Sequence, residues 1–118
     1  MLATIKARGY AIGVLSNGDE AMLRTGAAVF GTPFDHILAS DHAGHYKPHP
    51  SVYALPAARL GIAAHDVLHV AGSATDAMGA TLAGLSCAWS NRAGDPPADA
   101  AVRSDYELRD LTGLLEIL

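Results

Sequence analysis

The chain holds one cysteine, one tryptophan and two phenylalanines in 118 residues. A lone Cys87 closes no internal disulfide and cannot build a zinc site by itself. Charge is scarce as well, 17% of residues against 50% hydrophobic, which excludes a disordered chain and a charged coiled coil. Lys and Arg number 8, Asp and Glu 12, for a net charge of −4. With no basic run to neutralise phosphates, nucleic acid is not an expected partner. No apolar run reaches the ~18 residues that cross a bilayer, because Gly, Pro and charged residues interrupt every stretch. Met1 to Gly9 carries two basic residues and no long apolar segment, so no leader is read there. The expected setting is soluble, reducing and cytoplasmic. The Gly-x-Ser-x-Gly, Gly-Lys-Ser/Thr and Gly-x-Gly-x-x-Gly signatures are absent too.

What is present is an alternation of short apolar runs with helical patterns. Ala11 to Leu15, His36 to Ser40, Asp66 to Ala71 and Leu85 to Trp89 read as buried strands, and Tyr106 to Leu108 as a short fifth. Helices are expected over Met1 to Arg8, Asp19 to Val29, Ser51 to Leu60, Thr75 to Ala83 and Leu111 to Leu118. Pro56 falls inside the third of these and predicts a kink or a shifted start. Gly61 and Gly84 are stop signals. Asn17-Gly18 could turn a hairpin, but no alternating strand follows it. The pattern predicts an α/β fold, a Rossmann-like parallel sheet flanked by helices on both faces. In such sheets the carboxyl ends of the strands carry function.

Three polar clusters lie at or near those ends. Ser16 and Asn17 follow the first strand, where a hydroxyl, an amide and helix N–H groups could hold a carboxylate or phosphate oxygen; turn chemistry alone also accounts for them. Lys47, one of two lysines, stands between Tyr46 and Pro48. Extended by the flanking prolines, it would aim one ammonium at a fixed place, or it is a solvated loop lysine. Ser73 and Asp76 have the spacing of a helix capping box, and Asp76 could equally orient water or a metal. His36, His42, His45 and His49 cluster in fourteen residues, but without metal-ligand spacing on a helix they read as exposed loop histidines. Asp41-His42-Ala43-Gly44-His45 mimics a nucleophile motif by coincidence, and Cys87 reads as a small buried hydrophobe.

Taken in order, these segments resemble the haloacid dehalogenase superfamily of hydrolases. The matching strings are Leu15-Ser16-Asn17-Gly18, Phe34-Asp35, Tyr46-Lys47-Pro48-x-Pro50 with Tyr53, and Gly72-Ser73-x-x-Asp76-x-x-Gly79-Ala80. Trp89-Ser90-Asn91-Arg92 and Asp105-Tyr106-Glu107 point to its 2-haloacid dehalogenase (type II) branch. The resemblance covers essentially the whole chain. It implies covalent catalysis, in which an Asp attacks the substrate carbon, displaces halide, and the ester is hydrolysed. It implies that Ser16 and Asn17 hold the substrate carboxylate, with Ser73 beside them. Lys47 would support the nucleophile, Asp76 would position Lys47 or the water, and Tyr53 would support the site. No cofactor is expected; Mg²⁺, held partly by Asp76, is expected only for the phosphatase branch.

The resemblance also implies that residues 1–118 are the C-terminal part of one core domain. The Asp-x-x-Gly-Thr strand should precede residue 1, at the centre of the sheet between the strands ending at Ser16 and Ala71. Most of a cap segment is missing from the pattern as well. Two departures are local: Ala71-Gly72-Ser73 stands where Ser-Ser-Asn is frequent, and Thr75 where tryptophan is frequent. The expected function is therefore hydrolytic dehalogenation of a small 2-haloacid by the longer protein, with this chain inactive alone. Two alternatives stay open: a Mg²⁺-dependent phosphatase of the same superfamily, and a non-catalytic module that pairs strands with a partner or forms a homodimer.

Overall fold

The computed structural model describes residues 1–30 and 34–118. The elements alternate as the apolar runs predict. Helix α1 (Leu2–Ala7) leads to strand β1 (Gly13–Ser16), helix α2 (Glu20–Ala27) and strand β2 (His36–Ala39). The short helices α3 (Pro50–Tyr53) and α4 (Leu55–Leu60) follow, then strand β3 (Leu68–Ala71) and helix α5 (Ala74–Leu82). Strands β4 (Ser86–Ser90) and β5 (Tyr106–Leu108) and helix α6 (Leu114–Ile117) complete the chain. The two longest helices, α2 and α5, each start on a side-chain cap. Asp19 accepts the Met22 N–H at 2.8 Å to open α2, and Ser73 accepts the Asp76 N–H at 3.1 Å to open α5.

Among the described residues all strand pairing is parallel, but the strands form two sheets rather than one. β1 pairs with β2, from Gly13 against His36 to Ser16 against Ala39. β3 pairs with β4, and β4 with β5. Among the described residues, β1 and β3 each have one ladder partner, so each keeps one edge unpaired. The two sheets meet through side chains. Leu15 of β1 packs on the core cluster of Tyr53, Ala71, Ala77, Ala80, Leu85, Cys87 and Trp89. β4 shows the period-two logic of a doubly covered strand: Cys87 and Trp89 enter that cluster, while Ala88 enters a second one with Ile5, Ile12 and Leu114. The second cluster packs α1 against α6, and Arg8 ties them by donating to the carbonyls of Leu115 and Leu118 at 2.8 and 3.2 Å.

One expectation, the kink or shifted start at Pro56, takes a definite form, and one is corrected. The predicted helix over residues 51–60 is split in two at Ala54. Pro56 then falls in the first turn of α4, where a backbone N–H has no carbonyl partner within its own helix. Gly61 ends α4 in the left-handed region, φ 65°, as a stop glycine should. The segment from Tyr46 to Pro50 is not extended. Its Lys47–Pro48 peptide is cis, and the chain turns back so that the His49 N–H donates to the Tyr46 carbonyl at 3.0 Å.

Candidate active site

Asp76 lies in the first turn of α5, just past the carboxyl end of β3. Its backbone N–H makes the Ser73 cap, but its carboxylate does not complete a reciprocal capping box. It faces three donors instead. Oδ1 accepts from the Tyr53 hydroxyl at 2.7 Å and meets the Lys47 ammonium at 3.2 Å. Oδ2 accepts from His69 Nε2 at 3.0 Å. A carboxylate only accepts, so Nε2 carries the proton. Lys47 reaches Asp76 from the turn after β2, Tyr53 from α3, and His69 from the middle of β3.

The cluster is shielded from water: the side chains of Lys47, Asp76 and His69 keep 16%, 17% and 9% of their free exposure. Burial by itself would raise the Asp76 pKa. The hydrogen bond and charge of His69, then the Tyr53 hydrogen bond and the Lys47 charge, outweigh it and hold the carboxyl well below the usual carboxylate range. Burial, with the Asp76 anion at its hydroxyl, pushes the Tyr53 phenol above the ordinary tyrosine range. Tyr53 is completely buried. Its ring lies 5.8 Å below the Lys47 ammonium and edge-on to His69, with 5.6 Å between the two ring centres.

Gly79 explains how the phenol fits. A Cβ built there would lie 2.7 Å from Tyr53 Cε2 and 2.8 Å from its hydroxyl oxygen, so a side chain on α5 at this position would occupy the tyrosine's place. The small residue one turn after Asp76 is what lets α3 and α5 approach.

Of the residues singled out from sequence, Lys47, Asp76 and Tyr53 come into direct contact. Asn17 joins them through the backbone: its Oδ1 accepts the Lys47 N–H at 2.7 Å, which pins the lysine turn to the end of β1. Ser73 acts as the helix cap beside them. Ser16 ends β1, half-buried, with its hydroxyl 3.4 Å from the Asn17 carbonyl rather than hydrogen-bonded to the cluster. The loop histidines do not form a metal site. His45 stacks on His49 at 3.8 Å, and His42 takes the Ala39 N–H at 3.2 Å while facing Glu20. Cys87 is buried, and burial pushes its thiol up to about 11, as suits a core residue.

Two residues escaped the sequence reading. His69 alternates with apolar neighbours on a strand, where a buried imidazole needs a partner; that need was the available signal. Ser40 is buried just past β2, accepts the Gly18 N–H at 2.9 Å and donates to its carbonyl at 3.3 Å, so it holds the Asn17-Gly18 turn. The Trp89-to-Arg92 and Asp105-to-Glu107 strings turn out to be stapled together. Asn91 donates to Glu107 at 2.6 Å, and Trp89 pairs with Glu107 in the β4–β5 ladder. The Trp89-to-Arg92 string borders an open groove of ≈ 490 Å³ at the carboxyl ends of β3 and β4, lined by Val70, Gly72, Asn91 and Arg92 among others.

The donor set does not fit a divalent cation. Mg²⁺ asks for near-octahedral oxygen ligands, and both Asp76 oxygens already face donors, one of them a cation. Among the described residues, no three His, Cys, Asp or Glu side chains converge as metal ligands.

Comparison with known proteins is consistent in direction. Residues 1–84 match the family model of haloacid dehalogenase-like hydrolases. The (S)-2-haloacid dehalogenase 4A of Burkholderia cepacia is 31% identical over 99% of this chain and 52% of its own length. A crystal structure of an L-2-haloacid dehalogenase superposes with a TM-score of 0.92 at 34% identity, over 98% of this chain and 52% of that one. The crystal structure of a HAD phosphatase from Thermococcus onnurineus follows with a TM-score of 0.83 at 28% identity, over 98% of this chain and 54% of that one. The chain thus spans about half the length of the curated relatives it matches.

Proposed function

This chain belongs to the haloacid dehalogenase-like hydrolases, and from that premise we propose that it is the C-terminal part of the catalytic core of a 2-haloacid dehalogenase. The observation that carries the reading is the Lys47–Asp76–Tyr53 cluster, in which a shielded ammonium is held at 3.2 Å from a carboxylate at the carboxyl ends of parallel strands. An anionic nucleophile needs such a fixed positive charge more than it needs a cofactor. In this reading a strand preceding residue 1 carries an Asp and lies between the unpaired edges of β1 and β3, where it would join the two sheets. The substrate is a small 2-haloacid, neither nucleic acid nor membrane is a partner, and the single buried thiol suits a reducing, cytoplasmic setting.

The chemistry is a displacement followed by ester hydrolysis. A carboxylate oxygen of that Asp attacks carbon 2 of the haloacid, a carbon–oxygen bond forms, and halide leaves with the bonding pair. Water then adds to the ester carbonyl of the enzyme, and cleavage returns the Asp and releases a 2-hydroxy acid. Lys47 supports the carboxylate before attack and the oxyanion during hydrolysis. Asp76 holds Lys47 in place, with Tyr53 fixing the same oxygen. Ser16, Asn17 and Ser73 border the place where the substrate carboxylate would lie. No step needs a metal, in keeping with the donor set around Asp76.

The test extends the chain through the reading frame upstream of Met1 and assays halide release from 2-chloropropionate. Halide release that survives a chelator, with none from residues 1–118 alone, is the expected result. Phosphate release that needs Mg²⁺, with no halide, would replace this reading by the phosphatase one.

A further inference from the structure

His69 has no part in the mechanism above, yet it makes the sole contact described for one of the two Asp76 oxygens. The terminal torsion of an aspartate is broad, so nothing in Asp76 itself fixes the plane of its carboxylate relative to Lys47. Lys47 and Tyr53 both approach Oδ1, from the segment between β2 and α4. The opposing pull on Oδ2 comes from β3. There His69 is held by the ladder opposite Cys87 and by its edge-on contact with the Tyr53 ring. An inward strand position is ordinarily apolar, and a Leu or Phe would fill this one without needing a hydrogen-bond partner. The imidazole bears a desolvation cost that packing alone does not require.

Resting on the proposed dehalogenase reading, we propose that His69 is a positioning residue of this site: by donating from Nε2 to Asp76 Oδ2, it sets the carboxylate so that Oδ1 fixes the Lys47 ammonium. The chain of contacts runs from strand β3 through helix α5 to the lysine turn. It links three separate elements through one carboxylate. His69 touches no substrate in this arrangement and acts only through Asp76.

Two measurements test it on different footings. In residues 1–118, the Asp76 carboxyl carbon is followed by NMR through an acid titration in the parent, His69→Phe and His69→Gln. The Phe variant, with no donor, should titrate Asp76 nearer the ordinary carboxylate range. The Gln variant, which restores a donor but not the charge of the imidazole, should hold it lower than the Phe variant does. His69→Asn, with a shorter amide, serves as the donor-deprived form if the Phe variant fails to fold. In the extended protein, losing this charge-assisted bond should lower kcat on 2-chloropropionate on the order of tenfold, with KM within about twofold, and Gln should recover most of it. Equal Asp76 titration in all folded forms, or equal kcat in the donor-bearing and donor-deprived variants, would overturn the proposal. If the extended parent releases no halide, the dehalogenase reading fails on its own, and the carboxyl titration still decides whether His69 positions Asp76.

Discussion

Replacing Gly79 by Ala probes the packing on which the site depends. In most exposed helix interiors this change is stabilising, because Ala exceeds Gly in helix propensity by about 1 kcal/mol. Here the added methyl would sit 2.7 to 2.9 Å from three atoms of Tyr53, closer than real carbon contacts allow. Tyr53 is completely buried and cannot swing into solvent. Overpacking of this kind costs about 1–3 kcal/mol. Displacing the ring also breaks the 2.7 Å bond to Asp76, and a hydrogen bond to a charged group is worth about 1.5–3 kcal/mol. Set against the helix gain, Gly79→Ala should destabilise the fold by about 1.5–5 kcal/mol, a large share of the ~5–15 kcal/mol typical of a domain. The assay is urea unfolding with the midpoint as readout and an unchanged slope as the check on two-state behaviour. A double-mutant cycle identifies the cause. In a Tyr53→Ala background the methyl meets no ring, so Gly79→Ala should become neutral or stabilising by up to ~1 kcal/mol. A higher urea midpoint for Gly79→Ala with Tyr53 intact would refute the close approach of α3 and α5.

Three further outcomes are expected. Because the folded Asp76 pKa is depressed, its stabilising contribution is complete above the ordinary carboxylate pKa of about 3.9 and is lost as pH falls through the folded value. Asp76→Ala should therefore cost about 3 kcal/mol at neutral pH, and urea midpoints of the two proteins should converge in acid; a gap that stays constant down to pH 2 contradicts the ion-pair assignment. Cys87, buried with its thiol pushed up to about 11, should react with a thiol-specific disulfide reagent at neutral pH at least about a hundredfold faster in urea than in the native chain, and an immediate full equivalent from native protein would contradict its burial. Ser40→Ala, which removes both bonds to the Gly18 peptide, should destabilise by about 1–3 kcal/mol, and a midpoint indistinguishable from the parent would show that the turn holds without it.

Much of the fold was legible along the chain, because its causes are local. Apolar runs bounded by turn residues marked all five strands, and Asp19, Ser73 and Gly61 marked helix ends that the backbone then used. The boundaries moved where local rules compete. Pro56 reads as a defect inside one helix and becomes a first-turn residue once the helix is divided. Lys47, Asp76 and Tyr53 could be singled out by residue type, and a resemblance in their order assigned them to one site. Their individual patterns did not separate a helix cap from a carboxylate at work, or a solvated lysine from a shielded one.

The sequence by itself determined the alternation of strands and helices, the parallel pairing that this alternation requires, and the residue types available for chemistry. Only the tertiary structure decided which way Asp76 turns, that a buried His69 holds its second oxygen, and that a glycine one helical turn away makes room for the tyrosine at the first. It also divided the strands between two sheets, each with an unpaired edge. The physical reason is separation along the chain. Caps and strand patterns depend on neighbours within a few residues, whereas a carboxylate's orientation depends on donors that folding brings from a turn, a helix and a strand.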